Sequence, residues 1–211
     1  LLIGDAFVIT NRSSGTVTVN YNGPSLALAL TAGTQSTFTV IVASSGAGTW
    51  DVVPLTSSSP AGSVVQVVNT QTGAVATGTT VLPVDDTIPQ NNEGDQYMTL
   101  AVTPTNASNI LYIDVVTLIS ATAINNNLAA ALFQDSTANS LAVGAVFQAT
   151  GLGQVMISFR HKMTAGTTSA TTFKVRAGAS SSGTTTFNGV NGGRILGGVI
   201  ASSITITEIK V

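Results

Sequence analysis

Short runs of β-branched and apolar residues, broken every few positions by Gly, Asn, Pro or Ser, recur along the whole chain. Examples are residues 7–10, 16–20, 110–116 and 171–177. The chain also has 32 Thr and 21 Ser, residues that suit pleated strands and tight turns. The pattern therefore predicts an all-β protein, and the Ala-rich stretch 121–132 is the one place where a helix is conceivable.

A Ser-rich segment divides the chain into two parts. Residues 55–62 read Leu-Thr-Ser-Ser-Ser-Pro-Ala-Gly, which is the composition of a linker. We therefore expect a small antiparallel β module at 1–54, a linker at 55–62, and a larger domain at 63–211. The candidate strands of the larger domain predict a jelly-roll-like β-sandwich.

The scarcity of charge limits the possible functions. The chain has seven Lys or Arg, nine Asp or Glu, one His and no Cys, with a formal net charge of −2. This balance argues against a nucleic-acid partner, and no apolar run is long enough for membrane insertion. Without Cys, and with one His, we expect no metal and no cofactor. A surface so poor in charge is solubilised by hydroxyl and amide side chains or covered by other copies. Since the chain begins at Leu1, we expect a piece of a longer protein.

Four of the basic residues fall in a predicted hairpin with arms at 154–163 and 171–177. Strand alternation would place Arg160, Lys162, Lys174 and Arg176 on one outer face, with His161 turned inward. Three interpretations stay open. The basic residues could pair with acids, either Asp114 beside Tyr112 or the acidic loop of Asp85, Asp86, Glu93 and Asp95, in the same or a neighbouring subunit. They could also bind an anionic glycan, or simply be solvated.

Several segments resemble the C-terminal domain of tail-fibre and receptor-binding proteins of tailed bacteriophages. They are Asp85-Asp86-Thr87-Ile88-Pro89-Gln90-Asn91-Asn92-Glu93-Gly94-Asp95, the run Phe159-Arg160-His161-Lys162-Met163-Thr164-Ala165-Gly166-Thr167-Thr168, and Ser203-Ile204-Thr205-Ile206-Thr207-Glu208-Ile209. The resemblance implies a homotrimeric fibre tip on the virion, outside the cell. Its implied partners are a bacterial surface receptor, which could be lipopolysaccharide, capsule or a surface protein, and other virion fibre proteins.

Candidate contact residues lie in the predicted loops and on the basic face. For receptor binding they are Asn125, Asn126, Asn127, Arg160, Lys162, Thr167, Thr168, Lys174, Arg176, Asn188 and Asn191. For the trimer interface they are Tyr112, Asp114 and His161. We expect no enzyme activity, since polysaccharide-cleaving tail spikes are mostly long repeat proteins. We expect no calcium site in the acidic loop, since it lacks the spacing of an EF-hand loop. A purely structural trimerisation module without receptor binding is the alternative.

Overall fold

The computed structural model describes residues 6–20, 27–31, 35–42, 49–55, 60–149 and 153–211. The chain forms two compact units, Leu1–Ser59 and Pro60–Val211. Of the predicted linker at 55–62, residues 56–59 lie outside the described residues.

The first unit contains short antiparallel strands. They are β1 (Ala6–Thr10), β2 (Val17–Asn20), β3 (Ala27–Leu30), β4 (Gln35–Val42) and β5 (Thr49–Leu55). Strands β1, β4 and β5 form one sheet, and β2 pairs with β3. The buried amide of Asn11 donates to the carbonyl oxygens of Gly15 and Leu30, each at 2.7 Å, and so fixes the turn after β1.

The second unit is built from longer strands joined by turns. Its strands are β6 (Val64–Thr72), β7 (Ala76–Gly78), β8 (Asp95–Val102), β9 (Ile110–Ala121), β10 (Asn126–Gln134), β11 (Ala142–Gln148), β12 (Val155–Thr164), β13 (Thr171–Ala179), β14 (Thr185–Phe187), β15 (Gly189–Val190), β16 (Gly193–Arg194) and β17 (Ser202–Ile209). A 3-10 turn at Leu196–Gly198 is the one helical element among the described residues. The Ala-rich stretch that could have been a helix is strand β10.

Two antiparallel sheets make up the second unit. In the first sheet β6, β17, β9 and β12 lie side by side, while β14 and β7 continue along the far end of β9. In the second sheet the order is β8, β13, β10, β11. Counting the eight long strands along the chain gives orders 1-8-3-6 and 2-7-4-5, which is the jelly-roll arrangement of two Greek keys. The prediction of an all-β jelly-roll sandwich is therefore confirmed.

The hydrophobic core lies between the two sheets. Strand alternation turns Ile113 and Ile206 of the first sheet towards Leu132 and Val175 of the second, and all four are fully buried. A smaller buried cluster lies on the outside of the second sheet, where Leu82 packs with Ala129, Ala131 and Phe133. The segment between β7 and β8 thus covers part of that sheet's outer surface.

The sandwich has two distinct ends. At the linker end the chain enters, and the amide of Gly62 donates to the carbonyl of Lys210 at 2.7 Å. The loops 103–109 and 165–170 lie at the same end, because β9 begins and β12 finishes there. The free end carries the turns 122–125, 180–184 and 188–201. Strand β9 spans the distance between the ends, roughly 40 Å for twelve residues in a strand.

Candidate functional site

The outer face of the first sheet is a broad surface four strands wide. It is formed by the outward side chains of β6 (Val67, Asn69, Gln71), β17 (Ser203, Thr205, Thr207), β9 (Tyr112, Asp114, Val116) and β12 (Ser158, Arg160, Lys162). On β9 and β17 these side chains are half-buried by their neighbours, and on β6 and β12 they are exposed. We call this surface the outer face.

The charged residues of the outer face form one compact cluster. Arg160 lies opposite Asp114 in the ladder, and its Nε and Nη2 donate to the two carboxylate oxygens at 2.7 and 3.0 Å. This hydrogen bond with Asp114 raises the pKa of Arg160. Arg160 Cζ and Lys162 Nζ lie 5.6 and 5.8 Å from the centre of the Tyr112 ring. Asp114 therefore forms an ion pair with Arg160 within one subunit, and Lys162 gives the outer face an excess positive charge.

The prediction that four basic residues share one face is wrong. Strand β12 pairs with β9, whereas β13 pairs with β10 and β8, so the two predicted hairpin arms belong to different sheets. Lys174 Nζ donates to the carbonyl oxygen of Asp135 at 2.8 Å. Arg176 donates to the carbonyl oxygens of Glu93 and Gly94 at 2.8 and 2.6 Å. These two basic side chains hold turns on the second sheet.

The predicted interface residues also separate. Tyr112 and Asp114 lie on the outer face, whereas His161 lies on the inward side of β12 with the half-buried Phe159 and Met163. Partial burial lowers the pKa of His161. His161 therefore belongs to the edge of the core and not to the surface that Tyr112 and Asp114 share.

The predicted contact loops lie at opposite ends of the sandwich. Thr167 and Thr168 are at the linker end, where Thr167 Oγ1 accepts a hydrogen bond from the Ser169 amide at 2.9 Å. The five predicted asparagines, which are Asn125, Asn126, Asn127, Asn188 and Asn191, are at the free end. One ligand of ordinary size cannot reach both groups, since the length of β9 separates them.

Several of these asparagines shape the turns themselves. Asn188 is only 1% exposed, and its Nδ2 donates to the carbonyls of Thr72 and Ala74 at 2.7 and 3.2 Å. Asn126 is 3% exposed and accepts a hydrogen bond from the Ser180 hydroxyl. Asn125 and Asn191 have φ of 49° and 51°, the left-handed region that Asn tolerates. The backbone amide of Asn127 is held by Ser180. Buried Asn126 and Asn188 are therefore not available as contact residues in this conformation.

Glu208, which no sequence motif singled out, accepts more hydrogen bonds than any other side chain among the described residues. Its side chain is fully buried. Oε1 accepts hydrogen bonds from the Thr105 amide (2.9 Å), the Thr105 hydroxyl (2.7 Å) and Asn109 Nδ2 (2.6 Å). Oε2 accepts a hydrogen bond from Gln66 Nε2. Burial alone would raise the pKa of Glu208, but the hydrogen bonds from Asn109, Gln66 and Thr105 outweigh it and lower the pKa. Glu208 thus anchors loop 103–109 at the linker end. Strand alternation does contain this signal, since Glu208 shares its parity with buried Ile204 and Ile206.

The acidic loop is organised by local hydrogen bonds. Asp85 accepts from the Thr87 hydroxyl and amide, which lower its pKa. Glu93 accepts from the Gln90 amide, and Asp95 accepts from Thr80. Within the described ranges no group of three His, Asp or Glu side chains is placed to hold a metal ion. Those ranges also contain no helix with the length and apolar character needed to cross a membrane.

The strand order defines a jelly-roll protein, and comparison with known families shows the family to which the chain belongs. The family model described as the Pgp3 C-terminal domain, Chlam_vir, matches residues 79–211, more than half of the chain. The chain therefore belongs to the Pgp3 C-terminal domain family. No curated protein matches it.

This match corrects the resemblance drawn from the sequence. The matching family is the chlamydial Pgp3 domain and not a tailed-phage fibre domain, so the assignment to tail fibres is wrong. The predicted role as a fibre tip that attaches a phage to its host, and the predicted location on a phage tail, are wrong for the same reason.

Two solved viral structures show a distant likeness to the chain. A structure of the infectious bursal disease virus Gx strain matches with 11% identity and a TM-score of 0.33, covering 98% of this chain and 55% of that chain. The VP2 subviral particle of infectious bursal disease virus matches with 12% identity and a TM-score of 0.35, covering 97% and 57%. The chain thus spans little more than half the length of these relatives, and the fold assignment rests on its own strand order.

Proposed function

We propose that this chain is a non-enzymatic binding protein of the Pgp3 family that assembles as a homotrimer through the outer face of its first sheet. The outer face is the observation that carries the proposal. The experiment is a mass measurement on the wild-type chain and on two variants that add one charge to opposite surfaces of the sandwich.

The chemistry of the outer face is that of a protein interface. Tyr112 and Val116 lie at its centre, the hydroxyls of Ser203, Thr205 and Thr207 flank them, and the one acidic residue already has its partner in Arg160. Interface centres are poor in unpaired charge and rich in aromatic residues, and an arginine at the margin is common. Burying this face against other copies also accounts for how little charge the chain carries.

The outer surface of the second sheet offers a contrast. There Leu82 already buries Ala129, Ala131 and Phe133, so that apolar surface has an intramolecular cover. The edges of the outer face remain exposed, as at Val67, which is 57% exposed. Val67 thus adds apolar area at the edge of the outer face, although one exposed valine is by itself common on proteins.

The positions of the titratable groups support a non-enzymatic role. The single imidazole, His161, lies half-buried at the edge of the core, and Glu93, Asp95 and Glu208 accept hydrogen bonds that hold loops. General acid and base catalysis requires such groups to meet at a reacting atom in a cleft. The predicted bacterial receptor and fibre partners stay predictions.

Light scattering after size exclusion tests the assembly. The wild-type chain is expected near three times 21.2 kDa. Tyr112→Arg places a third positive charge beside Arg160 and Lys162, so each copy would repel the next and the mass should fall to that of one chain. The control Ala101→Arg adds the same charge to an exposed position on the second sheet and should remain trimeric. A monomeric wild type, or a trimeric Tyr112→Arg with an unchanged circular dichroism spectrum, would overturn the proposal.

A further inference from the structure

The free end of the sandwich presents an exposed apolar loop that the proposed assembly does not use. Leu196 and Val199, in the loop between β16 and β17, are 72% and 84% exposed. Ile124, at the tip of the turn between β9 and β10, is 64% exposed at the same end. Isolated exposed aliphatic residues are common on proteins, but three at turn tips of one end form a shared feature.

The backbone of this loop is strained and held in place. Leu196 has φ of 49°, which is unfavourable for a residue with a branched side chain, and Gly197 and Gly198 follow with φ of 65° and 84°. The loop packs closely on the turn after β6, since a β carbon on Gly73 would lie 2.8 Å from the carbonyl oxygen of Ile200. Strain of this kind persists only where surrounding contacts enforce it, and it concentrates at functional sites. The fold therefore holds Leu196 and Val199 outward.

The free end also carries very little charge. Arg194 is the one charged residue in the segments 72–77, 118–127 and 179–201. It is exposed and forms no ion pair with any described residue. Apart from Arg194, Ile124, Leu196 and Val199, the exposed residues of these segments are Ser, Thr, Asn, Gly and Ala. A free guanidinium two residues from an exposed leucine suits a ligand that combines a phosphate with apolar chains.

We propose that the free end docks on a phosphate-bearing lipid surface. Arg194 contacts lipid phosphate, while Leu196 and Val199 enter the boundary between headgroups and acyl chains without spanning the bilayer. A lipid surface fits better than a groove on another protein, because Leu196 and Val199 are largely exposed on one loop with a single positive charge beside them. Every copy has this loop, so assembly would add avidity and does not create the site.

Vesicle flotation with the full chain tests the proposal. The wild-type chain should float with vesicles of phosphatidylcholine and phosphatidylglycerol, and bind less to phosphatidylcholine alone. The double variant Leu196→Asn with Val199→Ser should bind about tenfold more weakly, because partition of surface-bound segments scales with the apolar area they bury. Asn accepts the left-handed backbone of position 196, so the variant should fold. Arg194→Gln should weaken binding to the mixed vesicles, and added salt should do the same.

A matched control keeps the test specific. Val84→Ser with Ile88→Ser removes two exposed aliphatic residues from the segment between β7 and β8, outside the free-end turns, and should bind like the wild type. Competition by inorganic phosphate distinguishes a site for a free anion from a site for lipid. If the site binds lipid, phosphate should compete no better than chloride at equal ionic strength.

Three results would overturn the lipid assignment. They are a wild type that stays unbound, equal losses in the control and the loop variant, and specific displacement by inorganic phosphate. Mass measured on the same samples separates this inference from the proposed assembly. A trimer that does not bind vesicles refutes only the lipid surface, and a monomer that binds them refutes only the trimer.

Discussion

Replacing Glu208 by Gln tests whether a buried carboxylate organises the linker end. Glutamine is close in size but carries an NH2 group where one carboxylate oxygen stands. That group would face donors from Thr105, Asn109 or Gln66, which then lose their acceptor. A hydrogen bond to a charged acceptor contributes roughly 1.5–3 kcal/mol, and an unsatisfied buried donor costs about 1–3 kcal/mol. We expect Glu208→Gln to lower the unfolding free energy by about 3 kcal/mol at neutral pH.

The effect of this substitution should depend on pH. Because the pKa of folded Glu208 lies below the unfolded value of about 4.3, its stabilising contribution is complete above the unfolded pKa. As pH falls through the folded pKa, that contribution is lost. The wild-type chain therefore loses a component of stability on acidification that the glutamine variant lacks, and the difference between the two proteins should shrink below about pH 4.

Urea denaturation followed by circular dichroism at several pH values measures this difference. Protein concentration must be held constant, since assembly would contribute to apparent stability. The control Asp86→Asn removes an exposed carboxylate for which no hydrogen bond is seen, and it should change the unfolding free energy by less than about 0.5 kcal/mol. A Glu208→Gln penalty below about 1 kcal/mol, or one that stays constant from neutral to acid pH, would refute this reasoning.

Four further substitutions, one of them a control, test the turns and the covered sheet by denaturation. Gly178→Ala should cost about 1–3 kcal/mol, because the new methyl group would lie 2.8 Å from the carbonyl oxygen of Thr80, whereas Gly193→Ala, whose nearest atom is 3.4 Å away, should be far milder. Asn188→Ala should cost about 2–4 kcal/mol, since the carbonyls of Thr72 and Ala74 lose their donor and the buried Ser202 hydroxyl loses its acceptor; a neutral result would mean that this side chain is not structural. Leu196→Asn should stabilise by roughly 0.5–1 kcal/mol through relief of the left-handed backbone, and a loss would show that leucine packs in the folded chain.

Strand alternation predicted the sandwich because one side of most strands is buried. In β9, buried residues alternate with half-buried ones from Ile110 to Thr117, so the sequence pattern and the structure coincide. In the segment 194–200 strand alternation is misleading for a local reason. Its aliphatic residues resemble a strand, but Leu196, Gly197 and Gly198 adopt left-handed backbone conformations that no strand accepts. A propensity argument cannot detect that conformation in a leucine.

The pairing of strands was harder to predict than their existence. Arms β12 and β13 are adjacent in sequence and joined by a short Thr-rich loop, which is typical of a hairpin. In the structure that loop crosses from one sheet to the other, because each arm finds its partners elsewhere in the chain. Alternation correctly gave the orientation of Arg160 and Lys162 within β12, but it could not say which sheet Lys174 and Arg176 would join.

Distances between spin labels on different copies would test most directly whether the copies associate through the outer face. The chain has no Cys, so a single cysteine introduced at Thr205 or Ala101 can be labelled selectively. Thr205 lies on the outer face and Ala101 on the outer side of the second sheet. The sheets pack about 10 Å apart, so in a three-fold assembly Ala101 should lie about 10 Å further from the axis than Thr205. The distance between copies is √3 times the distance from the axis. Labels at Thr205 should therefore be roughly 17 Å closer between copies than labels at Ala101. Shorter distances at Ala101, or no distances between copies at either position, would contradict the account.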